Sequence, residues 1–208
     1  MPPKSRSKKQ FSNDKEKIVE QALKIIEIQG LNALTMRKLA SKMGMSATNL
    51  YNYFYNKDEL YLYILVQGFN LLKAELESSI ETNSPPLQQL ENYLRIFIHF
   101  GLEHQGYYHL MMSTKDPKAM DYDDESLVDL AKYEKSNAMS VFYLLESIVK
   151  SCLLLKTSNS DSFIITSRII CEIHGFINLT HSNIIREIGA NSNFIIDNLI
   201  ESILLEFH

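Results

Sequence analysis

In segment after segment of residues 13–207 the apolar positions recur at a spacing of three or four, and nowhere do they alternate as the residues of a half-buried strand do. Seven glycines and five prolines are few for a sandwich or barrel, whose chain must turn often. A chain patterned this way folds as helices. At 208 residues it can bury a real core without disulfides or metals. Its two cysteines, Cys152 and Cys171, sit in apolar helical stretches, so they supply neither a disulfide framework nor a zinc-ligand spacing, and a reducing cytoplasm fits them. No apolar run follows Lys4, Arg6, Lys8 and Lys9 as a secretion signal requires. The Ile-rich stretch 163–179 is interrupted by Arg168, Glu172 and His174, which argues for a soluble protein with no membrane partner.

Caps and glycines divide the chain. Asn13 with Glu16 reads as a capping box opening a first helix, with Val19, Ala22, Leu23 and Ile26 on one face and Gly30 closing it. Thr35 caps a second helix with Met36, Leu39, Ala40 and Met43 inward, ended by Gly44. Ser46 opens a short third helix that turns Ala47, Leu50 and Phe54 inward, and Asn56 with Glu59 opens a long fourth running toward Ile80. Pro85 and Pro86 mark the entry to a helix over 87–100. Residues 106–125 read as looser chain with Pro117 and the acids Asp121, Asp123, Asp124 and Glu125. Helical patterns then cover about 126–155, 161–186 and 192–207.

Charge is unevenly divided along this string of helices. Residues 1–60 hold eleven Lys and Arg against six Asp and Glu, a net +5, whereas residues 61–208 carry a net −9. Phosphate attraction is screened within roughly 8 Å at physiological salt, so a basic head on an acidic body suits a polyanion that meets the head alone. A solvated face with clustered charge is the plainer alternative.

Ala40, Gly44 and Leu50 have the spacing of a helix-turn-helix: a small residue where two helices cross, a glycine at the turn, and a plug for the second helix. The flanks sharpen it. The stretch GLNALTMRKLASKMGMSATNLYNYFYNKDEL, residues 30–60, resembles the DNA-binding segment of the tetracycline-repressor (TetR) family of transcriptional regulators, with Thr35, Arg37, Leu39, Ala40, Gly44, Leu50, Tyr51, Tyr53, Phe54, Asn56, Lys57 and Leu60 where that pattern places them. The resemblance implies an all-α fold in which an N-terminal three-helix helix-turn-helix domain is joined by a long helix to an α-helical ligand-binding and dimerisation domain. The corresponding division is a basic flexible tail over 1–12, the DNA-binding domain over 13–56 and the effector and dimerisation domain over 57–208.

The third helix offers Thr48, Asn49, Tyr51, Asn52 and Tyr53, polar groups and phenols with no competing carboxylate, suited to base edges and phosphates in a major groove. Arg37 is long enough to reach a guanine and pair with it bidentately. By resemblance, Thr35, Tyr51, Tyr53 and Lys57 touch phosphates, Lys57 aided by the positive end of the fourth helix, while Arg37, Thr48, Asn49 and Ala47 read bases. Thr35 as a mere cap and Tyr53 as a core residue beside Phe54 are the plainer readings.

In the body, the last helix is apolar over so wide an arc that it needs a neighbour outside its own subunit. With the Ile-rich helix before it, this predicts a homodimer through Ile173, Gly175, Ile177, Phe194, Leu199 and Ile203. Phe69, Tyr93, Phe97, Phe100, Tyr108, Met112, Tyr133, Phe142 and His174 are the candidate ligand contacts, although Met and aromatic residues at helical spacing are as readily ordinary core. The spacing of His99, His104 and His109 does not put them on one helical face, so no metal is expected. Neither is a cofactor or catalysis, since no nucleophile elbow or phosphate loop is found. The expected function is a dimeric, cytoplasmic DNA-binding regulator, a repressor released from a palindromic double-stranded operator by a small apolar or amphipathic effector. The alternative is a DNA-bound interaction or architectural protein of the same fold without an effector.

Overall fold

Thr35, Ser46 and Asn56 each end a stretch of extended backbone and turn their side-chain oxygen onto the first turn that follows. Their oxygens accept from Lys38 N at 3.1 Å, Asn49 N at 3.1 Å and Glu59 N at 2.7 Å. Each satisfies a backbone donor the helix cannot, worth about 1 kcal/mol. In the computed structural model, which describes residues 8–80, 83–113, 125–155 and 160–207, these caps open α2 (Met36–Lys42), α3 (Ala47–Tyr51) and α4 (Lys57–Ser79). Gly44, at φ +65°, makes the turn between α2 and α3, and Gly30, at φ +77°, ends α1 (Lys8–Gln29).

Helix α1 is already formed at Lys8, the first described residue and five positions ahead of the predicted cap, so residues 8–12 are helical. Asn13 caps nothing because the turn before it already continues the helix, laced by Gln10 Nε2 donating to Asp14 Oδ1 at 3.0 Å. Pro86 takes the first position of α5 (Pro86–Glu103), where its missing N–H costs nothing. The stretch after it is more ordered than its composition suggests. Gly106 lets α6 (Gln105–Tyr108) lie against Glu27 of α1, where a Cβ would stand 2.4 Å from Oε1, and a single π turn, His109–Ser113, continues it. Lys4, Arg6, Pro117, Asp121, Asp123 and Asp124 lie outside the described residues.

The C-terminal half consists of α7 (Glu125–Leu155), α8 (Ser162–His181), the short α9 (Ile184–Glu187) and α10 (Ser192–Leu205). The single helix expected over 161–186 is broken because Asn183 adopts φ +61°, a conformation Asn tolerates better than most residues. Asn191 caps α10 by accepting from Asn193 N and Phe194 N at 2.9 and 3.2 Å. Among the described residues there is no strand.

Helix α4 links the parts. Its N-terminal Leu60 belongs with Leu39, Leu50 and Phe54, and further along it packs on α7, burying Leu65, Phe69 and Leu72 in a core that runs without a break from Ile18 to Phe207. Helices α7 and α8 are long and apolar enough to cross a membrane by length and composition alone. Both instead pack against α5 and each other within this bundle.

Candidate nucleic-acid interface and a cavity in the body

Because Leu50 and Phe54 are fully buried, the opposite side of α3 is forced outward. Thr48, Tyr51 and Asn52 are exposed there, and Ala47 and Asn49 are half-buried at its edge, Asn49 Nδ2 lying 4.0 Å from Met45 Sδ. Arg37, in the first turn of α2, and the Thr35 cap are exposed beside it. Thr35 is therefore a cap whose own position stays accessible. Lys57 is half-buried at the start of α4, its ammonium donating to the Leu31 carbonyl at 3.1 Å and so tying the long helix to the turn after α1.

Tyr53 does not join this surface. It is 4% exposed, its ring stacked on Phe11 with centroids 4.8 Å apart and its hydroxyl donating to Asp14 Oδ2 at 2.9 Å. The expectation that it faces outward with Tyr51 is corrected by helical geometry: two residues further on, the chain has turned inward beside Phe54. The phenol that does reach solvent is Tyr55, 73% exposed between α3 and α4, its backbone N–H held by Glu59 Oε2 at 2.5 Å. The sequence reading passed over it because its neighbours Phe54 and Asn56 carry the obvious core and cap signals.

The body contains a cavity of about 370 Å³ at the meeting of α4, α5, the π turn, α7 and α8. Five expected residues line it: Phe69, Tyr93, Phe97, Met112 and Phe142. The other four do not. Phe100 is fully buried, a turn beyond Phe97 and beside His104. Tyr133 is exposed because its neighbour Glu134 takes the inward position of α7. Tyr108 is buried with its hydroxyl 2.8 Å from His174 Nδ1, and the second nitrogen of His174 lies 2.7 Å from the Asn178 amide, so these two form a separate polar joint between α6 and α8. Met111, Met139, Ala138, Val141 and Ile170 complete the apolar wall, with Glu134 and Lys135 as its charged members. Tyr93 adds apolar area only, since its hydroxyl donates to the Val141 carbonyl at 3.0 Å and burial raises its pKa further beyond the usual phenol range.

The predicted interface divides in two. Ile173, Ile177 and Ile203 are buried in their own subunit, because the inward faces of α8 and α10 take them against α5. They cannot be the outer surface. Phe194 is 68% exposed, Leu199 is half-buried, and Gly175 has open space where a Cβ would stand. Leu179 and Leu205 are exposed on the same two helices and were not singled out in the sequence.

Residues 18–64 match the family model described as bacterial regulatory proteins, tetR family. A helix-turn-helix type transcriptional regulator of Haemophilus influenzae, itself uncharacterized, is 34% identical over 74 residues, which are 36% of this chain and 40% of the length of that relative. Among solved structures, a protein of unknown function from Rhodococcus sp. RHA1 superposes with a TM-score of 0.75 at 18% identity, covering 99% of this chain and 98% of its own. AibR in complex with isovaleryl coenzyme A and operator DNA superposes with a TM-score of 0.70 at 15% identity, over 89% of this chain and 95% of its own. The fatty acid degradation regulator FadR of Bacillus halodurans gives 0.68 at 12% identity over 97% of each. At such identities these structures share the fold.

Proposed function

The chain belongs to the tetR family of bacterial regulatory proteins and carries its DNA-binding helix-turn-helix, and from that premise we propose that it is a cytoplasmic homodimeric repressor, released from a near-palindromic operator by a small apolar or amphipathic effector. The observation that carries the reading is the pairing of an exposed, carboxylate-free α3 with a largely apolar cavity whose wall includes Phe69 of α4, the helix that also bears Lys57 beside α3. Arg37, Thr48, Asn49 and Ala47 read bases, and Thr35, Tyr51, Asn52 and Lys57 hold phosphates. Tyr53 is withdrawn from that set.

The effector enters among Phe69, Phe97, Met111, Met112, Met139 and Phe142, side chains soft enough to repack around an apolar body. Isovaleryl coenzyme A, bound to AibR, has this amphipathic character, an apolar acyl group on a polar carrier. The dimer forms through the outward side of α8 and α10, around Gly175, Leu179, Phe194, Leu199 and Leu205. Selection of bound duplexes from a random pool tests the whole reading: the expected consensus is two inverted half-sites about 34 to 36 Å apart, or a multiple of that, and an asymmetric single site would refute the dimer. Apolar ligands that raise the melting temperature would support the effector over a body that only docks proteins.

A further inference from the structure

Helix α3 is too short to hold its own place. Its five residues, Ala47–Tyr51, make little more than one turn, and an isolated helix of that length does not persist in water, so its aim depends on what grips its two ends. Ser46 caps the first. The second is gripped by α1. Phe11 stacks on Tyr53 with the ring planes 20° apart, Asp14 accepts the Tyr53 hydroxyl, and Lys15 holds its ammonium 4.6 Å from the Phe54 ring centroid and 4.8 Å from that of Tyr63. The second Asp14 oxygen accepts from Gln10, which steadies the carboxylate. Phe11, Asp14 and Lys15 stand at i, i+3 and i+4, on one face of α1, and all three precede the segment that matches the family model.

We propose that this stripe on the first turns of α1 is a positioning device: it fixes the angle at which α3 enters the groove and so sharpens sequence discrimination without touching DNA. The inference rests on the reading of α3 as the groove-reading helix. Base-edge hydrogen bonds need tight placement of α3, whereas of the phosphate contacts only those of Tyr51 and Asn52 lie on it, and those of Thr35 and Lys57 issue from the starts of α2 and α4, which have their own anchors in Lys38 N and the Leu31 carbonyl. Loosening the stripe therefore costs more affinity for the cognate site than for random duplex.

The test compares the full chain and its variants on a duplex selected by the wild type and on a random duplex across a salt series. Asp14→Ala and Tyr53→Phe should each lower the preference for the selected duplex by about threefold to tenfold, the range one lost hydrogen bond spans, with the salt slope unchanged. Asp14→Asn keeps an acceptor for the Tyr53 hydroxyl and should restore most of the preference, and Asp14→Ala should cost less in the Tyr53→Phe background than in the parent. Asp14 is partly in solvent and Tyr53→Phe keeps the buried ring that stacks on Phe11, so these variants keep the core intact, which a melting curve verifies. Unchanged preference in both single variants, or equal loss on both duplexes, would overturn the proposal. A wild type that selects no sequence would instead defeat the reading of α3 itself, and the positioning role with it.

Discussion

Arg37 and Lys57 are both cations of the helix-turn-helix segment, and under the proposed function their surroundings suit them to different work. Arg37 is exposed at the start of α2, where a bidentate pair with a guanine is within reach, so Arg37→Ala should cost about 1 to 3 kcal/mol on the operator and relax preference at one base pair. Lys57 donates to the Leu31 carbonyl and acts as a point charge, so Lys57→Ala should weaken all duplexes alike, reduce the salt slope by about one, and lower stability by about 1 kcal/mol through the lost tether. Gel-shift titrations over a salt series, with melting curves, separate the two. A second residue-scale expectation concerns acid. Burial lowers the pKa of His174 and of His181 below 6.5; for His181 it outweighs the opposing effect of its N–H donating to the Gly101 carbonyl at 3.0 Å. Well above pH 6.5 both rings are neutral folded or unfolded, and stability is unaffected by them. As pH falls through 6.5 the unfolded chain takes up protons that the folded chain refuses, so stability should decline until the lowered folded values are passed. His181→Gln, which keeps a donor for Gly101, should flatten that decline in urea melts taken between pH 5 and 7.

Among the elements, the boundaries carried by one residue's own chemistry were legible in the sequence and those set by distant contacts were not. Thr35, Ser46 and Asn56 announce helix starts because a short oxygen-bearing side chain reaches the second or third N–H whatever lies around it, and Gly44 announces a turn because its φ of +65° suits few other residues. That residues 8–12 are helical could not be read, since Phe11 and Asp14 are held by Tyr53, 39 positions beyond Asp14. The order in residues 105–113 was equally hidden, because it depends on Gly106 meeting Glu27. Periodicity also finds a helix's apolar arc without saying which part of it the subunit keeps, which is why Ile173, Ile177 and Ile203 were placed on the wrong side of α8 and α10. That correction changes the dimer test. A charge at Ile203 would disrupt the core of the subunit itself, whereas Phe194→Glu or Leu179→Asp acts on exposed positions and should leave the melting temperature of the monomer near its parent value. Sedimentation should show these variants as monomers and titration should show poor operator binding. A wild-type monomer, or dimers that survive both charges, would move the interface elsewhere.

At the scale of the whole molecule, one long helix joins the two proposed sites. The 23 residues of α4 span about 34 Å, with Lys57 at the DNA end and Phe69 in the cavity wall. Its middle has no slack: at Gly68 a single added Cβ would stand 2.6 Å from Met111 Sδ and 2.9 Å from the Tyr107 ring. Met111 lines the cavity as well, so an effector that displaces it presses on α4 at its narrowest point. In the proposed dimer two heads must fit one half-site spacing together, and a shift of a few Å in their separation would break one of the two contacts. Effector binding should therefore lower operator affinity by about 1 to 3 kcal/mol, and operator should lower effector affinity by the same factor, because linkage is reciprocal. The wall offers a clean way to sever this coupling. Replacing Phe69 or Phe97 by Ala would hollow a buried core position at about 3 to 5 kcal/mol, but Ala138 is half-buried on the cavity wall and can be enlarged into empty space. Ala138→Phe should fill the cavity, abolish the rise in melting temperature that apolar ligands give the parent, and leave operator affinity within about threefold of wild type, so that repression persists whatever effector is added. An operator affinity that the true effector leaves unchanged, or tightens, in the parent protein would replace release by a co-repressor or activator mode.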